Sequence, residues 1–203
     1  MSIILDGSAG ITTPPVALLG STSGSISLVA PAVAGSNTQT LVAATGTLAP
    51  LISGTAVAST SGTSIDFTSI PSWAKRITVM FNGVSTNGTS IFQIQIGSGS
   101  FSTSGYASQA SVAATAPGVV TTGFILATGN AAANLFTGIF QIVLISANTY
   151  LSTGICNIDN AANPNYISNG KSPALAGALD RVRITTVNGT DTFDAGTINI
   201  MYE

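Results

Sequence analysis

Charged residues are scarce in this chain, and their scarcity constrains its fold more than any other feature. Of 203 residues, five are Lys or Arg and seven are Asp or Glu, which is 6% of the chain, against about 25% in an average soluble domain. With so few charges, the usual solvent face of an amphipathic helix cannot be built. The polar residues are mostly Ser, Thr, Asn and Gly, which favour strands, caps and turns over helix interiors. We therefore expect an all-β protein.

Alternation of apolar and polar residues indicates where the strands lie. Near the C-terminal end, Val182 and Ile184 alternate with two arginines, so the two faces of one strand differ. The candidate strands are residues 55–59, 64–67, 76–82, 89–96, 119–128, 136–146, 150–158, 165–168, 181–187 and 197–202. Turns are predicted at the Asn-Gly or Gly-Asn pairs 82–83, 87–88, 129–130, 169–170 and 188–189. Short strands between such turns predict an antiparallel β-sandwich, jelly-roll-like in type.

The first 52 residues differ from the rest of the chain. They contain no Lys, no Arg and no aromatic residue, and Asp6 is their only charge. Such a segment cannot form much of a core by itself. It is either a thin β-rich anchor or stem or a flexible linker, and the alternation at residues 25–29 and 38–42 favours the anchor. We predict an extended N-terminal anchor over residues 1–52 and the sandwich domain over residues 53–203.

Charge and hydropathy exclude several classes of function. The net charge is −2, and no basic patch is present beyond the pairs Lys75/Arg76 and Arg181/Arg183, which disfavours nucleic-acid binding. Mean hydropathy is high, at +0.50, but the most apolar run, residues 136–145, is too short for a spanning helix. We expect neither membrane insertion nor a secretory signal peptide. Low charge instead predicts that surface is buried between subunits, as in an obligate oligomer.

The residue types needed for catalysis are poorly represented. The chain has no His, which removes the commonest general base and metal ligand. We predict no enzymatic activity, no cofactor and no metal. The single cysteine, Cys156, lies in an alternating run and is predicted to be buried. Asp191 and Asp194 share one predicted loop, where they either contribute to a calcium site or cap backbone amides; we favour the caps.

Two groups of residues are candidates for ligand contact. Arg181 and Arg183 lie on the polar side of one predicted strand. They either pair with Asp180, Asp191 or Asp194, which we favour, or bind a carboxylate-bearing ligand, a glycan or a partner subunit. The aromatic residues of the predicted loops are able to stack on a sugar; they are Phe101, Tyr106 and Tyr166.

Several segments resemble bacteriophage tail-fibre and minor virion proteins. The opening, residues 1–14, reads MSIILDGSAGITTP and is similar to the start of many of these proteins. Residues 25–41, followed by residues 45–48, are similar to a segment that recurs in them. Residues 67–81, FTSIPSWAKRITVMF, and the closing residues 179–203 resemble their C-terminal domain. The resemblance thus covers both ends and the middle of the chain.

The resemblance implies a non-enzymatic, trimeric β fibre located in the virion. Its N-terminal segment would dock on another virion protein, with Ile3, Ile4, Leu5 and Ile11 as the predicted contacts. Its sandwich would attach to the host, and the predicted receptor contacts, to a surface glycan, are Tyr106, Tyr166 and Lys171. Two alternatives stay open: a capsid (head) fibre or decoration protein, and a polysaccharide-degrading tailspike. Sparse acids and the missing His disfavour the tailspike.

Overall fold

The computed structural model describes residues 16–19, 23, 25–28, 49–112, 118–160 and 165–203. The chain divides into two compact units, Met1–Thr47 and Leu48–Glu203. In the first unit, β1 (Val16–Leu19) and β2 (Ser25–Leu28) pair in antiparallel fashion. The strand predicted at residues 25–29 is therefore present, and the one predicted at residues 38–42 lies outside the described residues.

The second unit is built from strands, and its described residues include no helix. The strands are β3 (Ile52–Ser53), β4 (Val57–Ala58), β5 (Ser64–Thr68), β6 (Arg76–Thr86), β7 (Phe92–Ser98), β8 (Ser100–Phe101), β9 (Ala107–Ser111), β10 (Gly118–Val120), β11 (Phe124–Ile125), β12 (Phe136–Ser146), β13 (Thr149–Ile158), β14 (Tyr166–Lys171), β15 (Arg181–Thr186) and β16 (Phe193–Tyr202).

These strands form two sheets that pack face to face. The larger sheet has the order β10-β9-β14-β13-β12-β6-β16-β3, with β4 also paired to β16. The smaller sheet has the order β11-β7-β15-β5, with β8 also paired to β7. All of these pairings are antiparallel. The predicted antiparallel β-sandwich is confirmed.

The core between the sheets contains an aromatic group with a member from each. Phe92 of β7 meets Phe136 of β12 edge-on at a centroid distance of 5.1 Å. The same ring stacks on Phe193 of β16 at 5.8 Å. All three side chains are fully buried. Burying one such side chain contributes about 1.5–3 kcal/mol, so this group contributes substantially to holding the sheets together.

Two Asn-Gly pairs predicted as turns lie within strands instead. Gly83 has a φ of +61° inside β6, where the register with β12 shifts and forms a bulge. The inward residues change parity there, from Ile77, Val79 and Phe81 before the bulge to Val84 after it. Asn169-Gly170 continues β14, so the pair signal alone did not distinguish a turn from a strand.

Residues 174–179 form no helix, and the segment from residue 97 to residue 112 includes β8 and β9. The expected domain boundary after residue 52 falls within β3, which pairs with β16 through Ser53 and Met201. Composition changes near that point, but backbone pairing joins Ile52 to the second unit.

Candidate functional site

The outer side of the larger sheet exposes a set of branched aliphatic side chains, which we call the aliphatic face. Its members are exposed by 39–62%; they are Val119, Ile139, Val143, Leu151, Ile155 and Ile167. Strict alternation explains their direction, because β13 buries every second residue and exposes the ones between. Most of a sandwich's outer surface is normally polar, so this face is the unusual feature of the fold.

Register brings these side chains into rows across the sheet. Ile139 lies opposite Ile155, and Ile155 lies opposite Ile167, on three neighbouring strands. Cβ atoms of such opposite residues are about 4.5–5.5 Å apart. The three isoleucines therefore form one continuous apolar row across β12, β13 and β14.

A second row, two residues along, is polar and uncharged. Gln141 lies opposite Thr153, and Thr153 lies opposite Asn169. A third row returns to aliphatic residues, with Val143 opposite Leu151. The face thus alternates between hydrophobic contact and neutral hydrogen-bonding groups.

Charge is confined to the margins of this face. The strands β12 and β13 contain no charged residue, and β14 contains Lys171 at its end. At the opposite margin, Arg76 of β6 forms an ion pair with Glu203. A shallow groove of about 430 Å³ lies over β12 and β13, with Ile139, Ile155 and Thr153 among its lining residues.

The outer side of the smaller sheet has the opposite chemistry, and we call it the polar face. Arg183 of β15 forms a bidentate ion pair with Asp66 of β5, at 2.8 and 2.7 Å. The Arg183 guanidinium also lies 4.1 Å from the centre of the Phe101 ring, a cation–π contact. Hydrogen bonding to Asp66 raises the pKa of Arg183 above its ordinary value.

Beside this pair, hydrogen bonds hold two glutamines in a groove of about 300 Å³. Gln93 accepts a hydrogen bond from the Thr122 hydroxyl at 2.7 Å and donates to the Thr186 carbonyl at 3.2 Å. Gln95 donates to the Thr122 carbonyl at 3.0 Å. Much of the hydrogen-bonding capacity of this groove is therefore satisfied within the chain.

The arginine partners agree in part with the sequence analysis. Arg181 bonds to Asp180 at 2.7 Å, as predicted, and this bond lowers the pKa of the Asp180 carboxyl below its ordinary range. Arg183 pairs with Asp66, which sequence reasoning missed. The two lie opposite each other across β15 and β5, and no local signal links residues so far apart in the chain.

The predicted receptor contacts do not form one site. Tyr106 is 2% exposed; its hydroxyl accepts from the Ile96 amide at 2.9 Å and donates to the Ser102 carbonyl at 3.1 Å. Tyr166 is 8% exposed. Stacking of these two rings on a receptor sugar was wrongly predicted, because neither ring has a free face. Lys171 is exposed, and receptor contact by it stays a prediction.

The predicted docking residues fall outside the region that the structure covers. Ile3, Ile4, Leu5 and Ile11 are not among the described residues. Their role therefore stays a prediction.

The aspartates considered for calcium have partners within the protein. Asp191 accepts hydrogen bonds from the Ser90 amide at 2.9 Å and from the Asn188 side chain at 2.6 Å, and Asp194 accepts one from the Ser85 hydroxyl. Asp191 thus caps a backbone amide, which was the favoured interpretation. Across the described ranges, no three His, Cys, Asp or Glu side chains lie together as metal ligands would.

Cys156 is 1% exposed, and its thiol donates to the Leu126 carbonyl at 3.2 Å. Burial raises the pKa of the thiol to about 12, so it is a weak nucleophile at neutral pH. The prediction of a buried cysteine is confirmed.

Comparison with protein-family models, with curated proteins and with solved structures gives no match in any of the three. A search of the described residues for a helix able to cross a membrane finds none. The aliphatic and polar faces are therefore the features from which function has to be argued.

Proposed function

We propose that this chain is a non-enzymatic structural protein of a bacteriophage particle, a fibre that works as a homotrimer. Residues 1–52 dock on another virion protein, and the sandwich takes part in attachment to the host surface. The observation that best supports this proposal is the aliphatic face. A large uncharged apolar surface on a β-sandwich is suited to assembly with other chains.

The resemblance of residues 1–14 and 179–203 to phage fibre proteins supports the virion assignment. The polar face supports a division of labour between the two sheets, because one outer surface is suited to assembly while the other stays in solvent. Attachment would then depend on several copies presenting the same loops, so that weak single contacts add through avidity.

Imaging of intact particles at a resolution that traces chains tests this proposal. We expect the sandwich at the tail, with residues 48–203 directed outward. Density on the capsid surface would assign a head fibre or decoration role instead, and absence from purified particles would remove the virion assignment. Release of reducing sugar from host polysaccharide by the purified protein would contradict the non-enzymatic assignment.

A deletion tests the docking segment. Removing residues 1–47 keeps β3 and its pairing with β16. We expect a folded protein that no longer incorporates into particles, while a full-length chain produced in parallel incorporates normally. Incorporation of the shortened chain at the full-length level would overturn the anchor assignment.

A further inference from the structure

The aliphatic face is a large apolar surface that the described part of its own unit leaves exposed. Ile139, Ile155 and Ile167 are 54%, 58% and 56% exposed although they are neighbours in one row. Single exposed isoleucines are common on strands, because β-branched residues favour the strand conformation. A contiguous row of them, with a second aliphatic row beyond the neutral row, is uncommon on a monomer.

The size of the face matches a protein–protein interface. The five neighbouring strands β12, β13, β14, β9 and β10 contain 11, 10, 6, 5 and 3 residues. With a rise of about 3.3 Å per residue and a strand spacing of about 4.8 Å, they cover roughly 550 Å². A specific interface buries more than about 1,000 Å² in total, or about 500 Å² on each partner, so full coverage of the face is sufficient for specific association.

The chemistry of the face favours a second copy of this chain over other partners. Its exposed apolar residues are aliphatic and none is aromatic, which leaves no ring for a sugar to stack on. The neutral row contains Gln141, Thr153 and Asn169, each of which both donates and accepts hydrogen bonds. Such a row is complementary to its own copy, and with charge confined to the margins, like charges do not meet at the centre.

We propose, relying on the proposed function only for the number of copies, that the aliphatic face is the surface through which copies of this chain contact one another. Ile155 lies at the middle of the isoleucine row and is the anchor of the contact. The neutral row beside it forms hydrogen bonds across the interface. This assigns the larger sheet to assembly and leaves the smaller sheet's polar face in solvent.

A charge at the centre of the face tests the inference. Because an arginine in the contact would be desolvated without a partner, Ile155→Arg is expected to raise the dissociation constant at least about 30-fold. The measurement is the mass of the purified full chain by light scattering over a dilution series, with circular dichroism to verify folding. The matched control is Val187→Arg, because Val187 is also exposed, at 37%, but follows β15 in the smaller sheet. It is expected to keep the wild-type mass.

A second measurement does not depend on a disruptive substitution. Ile167→Cys introduces a thiol on the face, and Leu51→Cys introduces one at a comparably exposed position outside it, since these residues are 56% and 62% exposed. In the assembled protein a maleimide should label the first thiol at least about 10-fold more slowly than the second, and adding Ile155→Arg should remove the difference. The native Cys156 is buried and contributes little background.

The outcomes separate this inference from the proposed function. A monomeric wild-type chain, or a folded Ile155→Arg variant that keeps the wild-type mass, would overturn the inference even if imaging finds the protein in particles. Slow labelling at position 167 that persists in a monomeric variant would also overturn it, because another part of the chain would then cover the face. An oligomer that Ile155→Arg dissociates supports the inference even if particles lack the protein. A mass of two copies would support the interface and replace the proposed trimer.

Discussion

Alternation of residues along the strands forms both outer surfaces of the sandwich, but the surfaces differ in whether their side chains have partners within the chain. On the polar face, Arg183 has Asp66 and Phe101 as partners within the chain. On the aliphatic face, Ile155 lies between Ile139 and Ile167 in one row, and more than half of its surface stays in solvent. Alternation therefore places side chains on an outer surface, while the chemistry of their partners decides whether this surface is complete within one chain.

The layers beneath the two surfaces differ as well. Under the aliphatic face, the buried Phe140 ring occupies the space that a side chain at Gly154 would need. On the polar face, the Phe101 ring is only half-buried and contacts the guanidinium group of Arg183. The larger sheet therefore rests on close packing, and the smaller sheet has electrostatic contacts in addition.

Truncating the buried Phe140 and the half-buried Phe101 gives the largest contrast. We expect Phe140→Ala to lower the free energy of unfolding by about 3–5 kcal/mol, since it leaves a cavity beside a glycine that cannot fill it. Phe101→Ala should cost only about 1 kcal/mol, because it removes a partly exposed cation–π contact. Denaturant unfolding at one fixed protein concentration measures both. Equal losses would show that packing does not distinguish the two layers.

Two buried weak acids titrate at alkaline pH, Cys156 in the larger sheet and Tyr106 in contact with the smaller one. Burial raises the pKa of Cys156, in β13 of the larger sheet, to about 12, and also that of Tyr106, whose hydroxyl bonds to β7 of the smaller sheet, to about 12. Because each raised pKa favours the protonated form in the folded state, the free energy of unfolding has its full value below the pKa that the group has in the unfolded chain. It falls as pH rises from there through the folded-state pKa of about 12. We expect the free energy of unfolding to fall by a few kcal/mol between about pH 9 and 12.

Two variants show which group causes each part of that fall in the free energy of unfolding. Cys156→Ala should remove the part of the slope that begins near the ordinary thiol pKa, and Tyr106→Phe the part that begins near the ordinary phenol pKa, about 1.5 units higher. Unfolding curves at a series of alkaline pH values measure the slopes. A slope that neither variant changes would mean that other groups titrate on unfolding.

The smallest expected difference between the two surfaces is their response to salt. Asp66→Asn removes one charge of the Arg183 pair, both of whose side chains are about one-third exposed. We expect a loss of only about 0.2–1 kcal/mol, which shrinks further in about 1 M NaCl because salt screens exposed charges. The proposed oligomer should persist in the same salt, since the contact proposed for it is hydrophobic. Dissociation of that oligomer by salt would show that ion pairs contribute to assembly.

The sequence predicted the strands better than their surroundings. β12 was located to the residue and β15 to within one, because each carries a regular pattern of apolar residues. β9 was missed because its buried positions are the small residues Ser108 and Ala110, which give no hydropathy signal. Short-range patterns therefore identify a strand only where large side chains face the core.

The candidate site was less predictable because it depends on register. The apolar row forms only when Ile139, Ile155 and Ile167 are aligned across three strands, and no local pattern fixes that alignment. Tyr106 was placed in a loop because Ser and Gly surround it, and Tyr166 was proposed as a receptor contact although it lies in a predicted strand. Tertiary packing buries both. The scarcity of charged residues did indicate an unusual surface, but only the fold shows where on the molecule this surface lies.

The bulge in β6 has a consequence for how this chain can change length. Phe193 pairs with Thr86 and Thr197 pairs with Asn82, while Ala195 between them is displaced by one residue. One extra residue in β16 thus offsets one extra residue in β6, and the register is the same on either side. Losing either residue alone would shift half of a strand by one residue, so that its buried side chains would face solvent. In evolution, therefore, an insertion or deletion at this point in one strand is tolerated only together with a matching change in its neighbour.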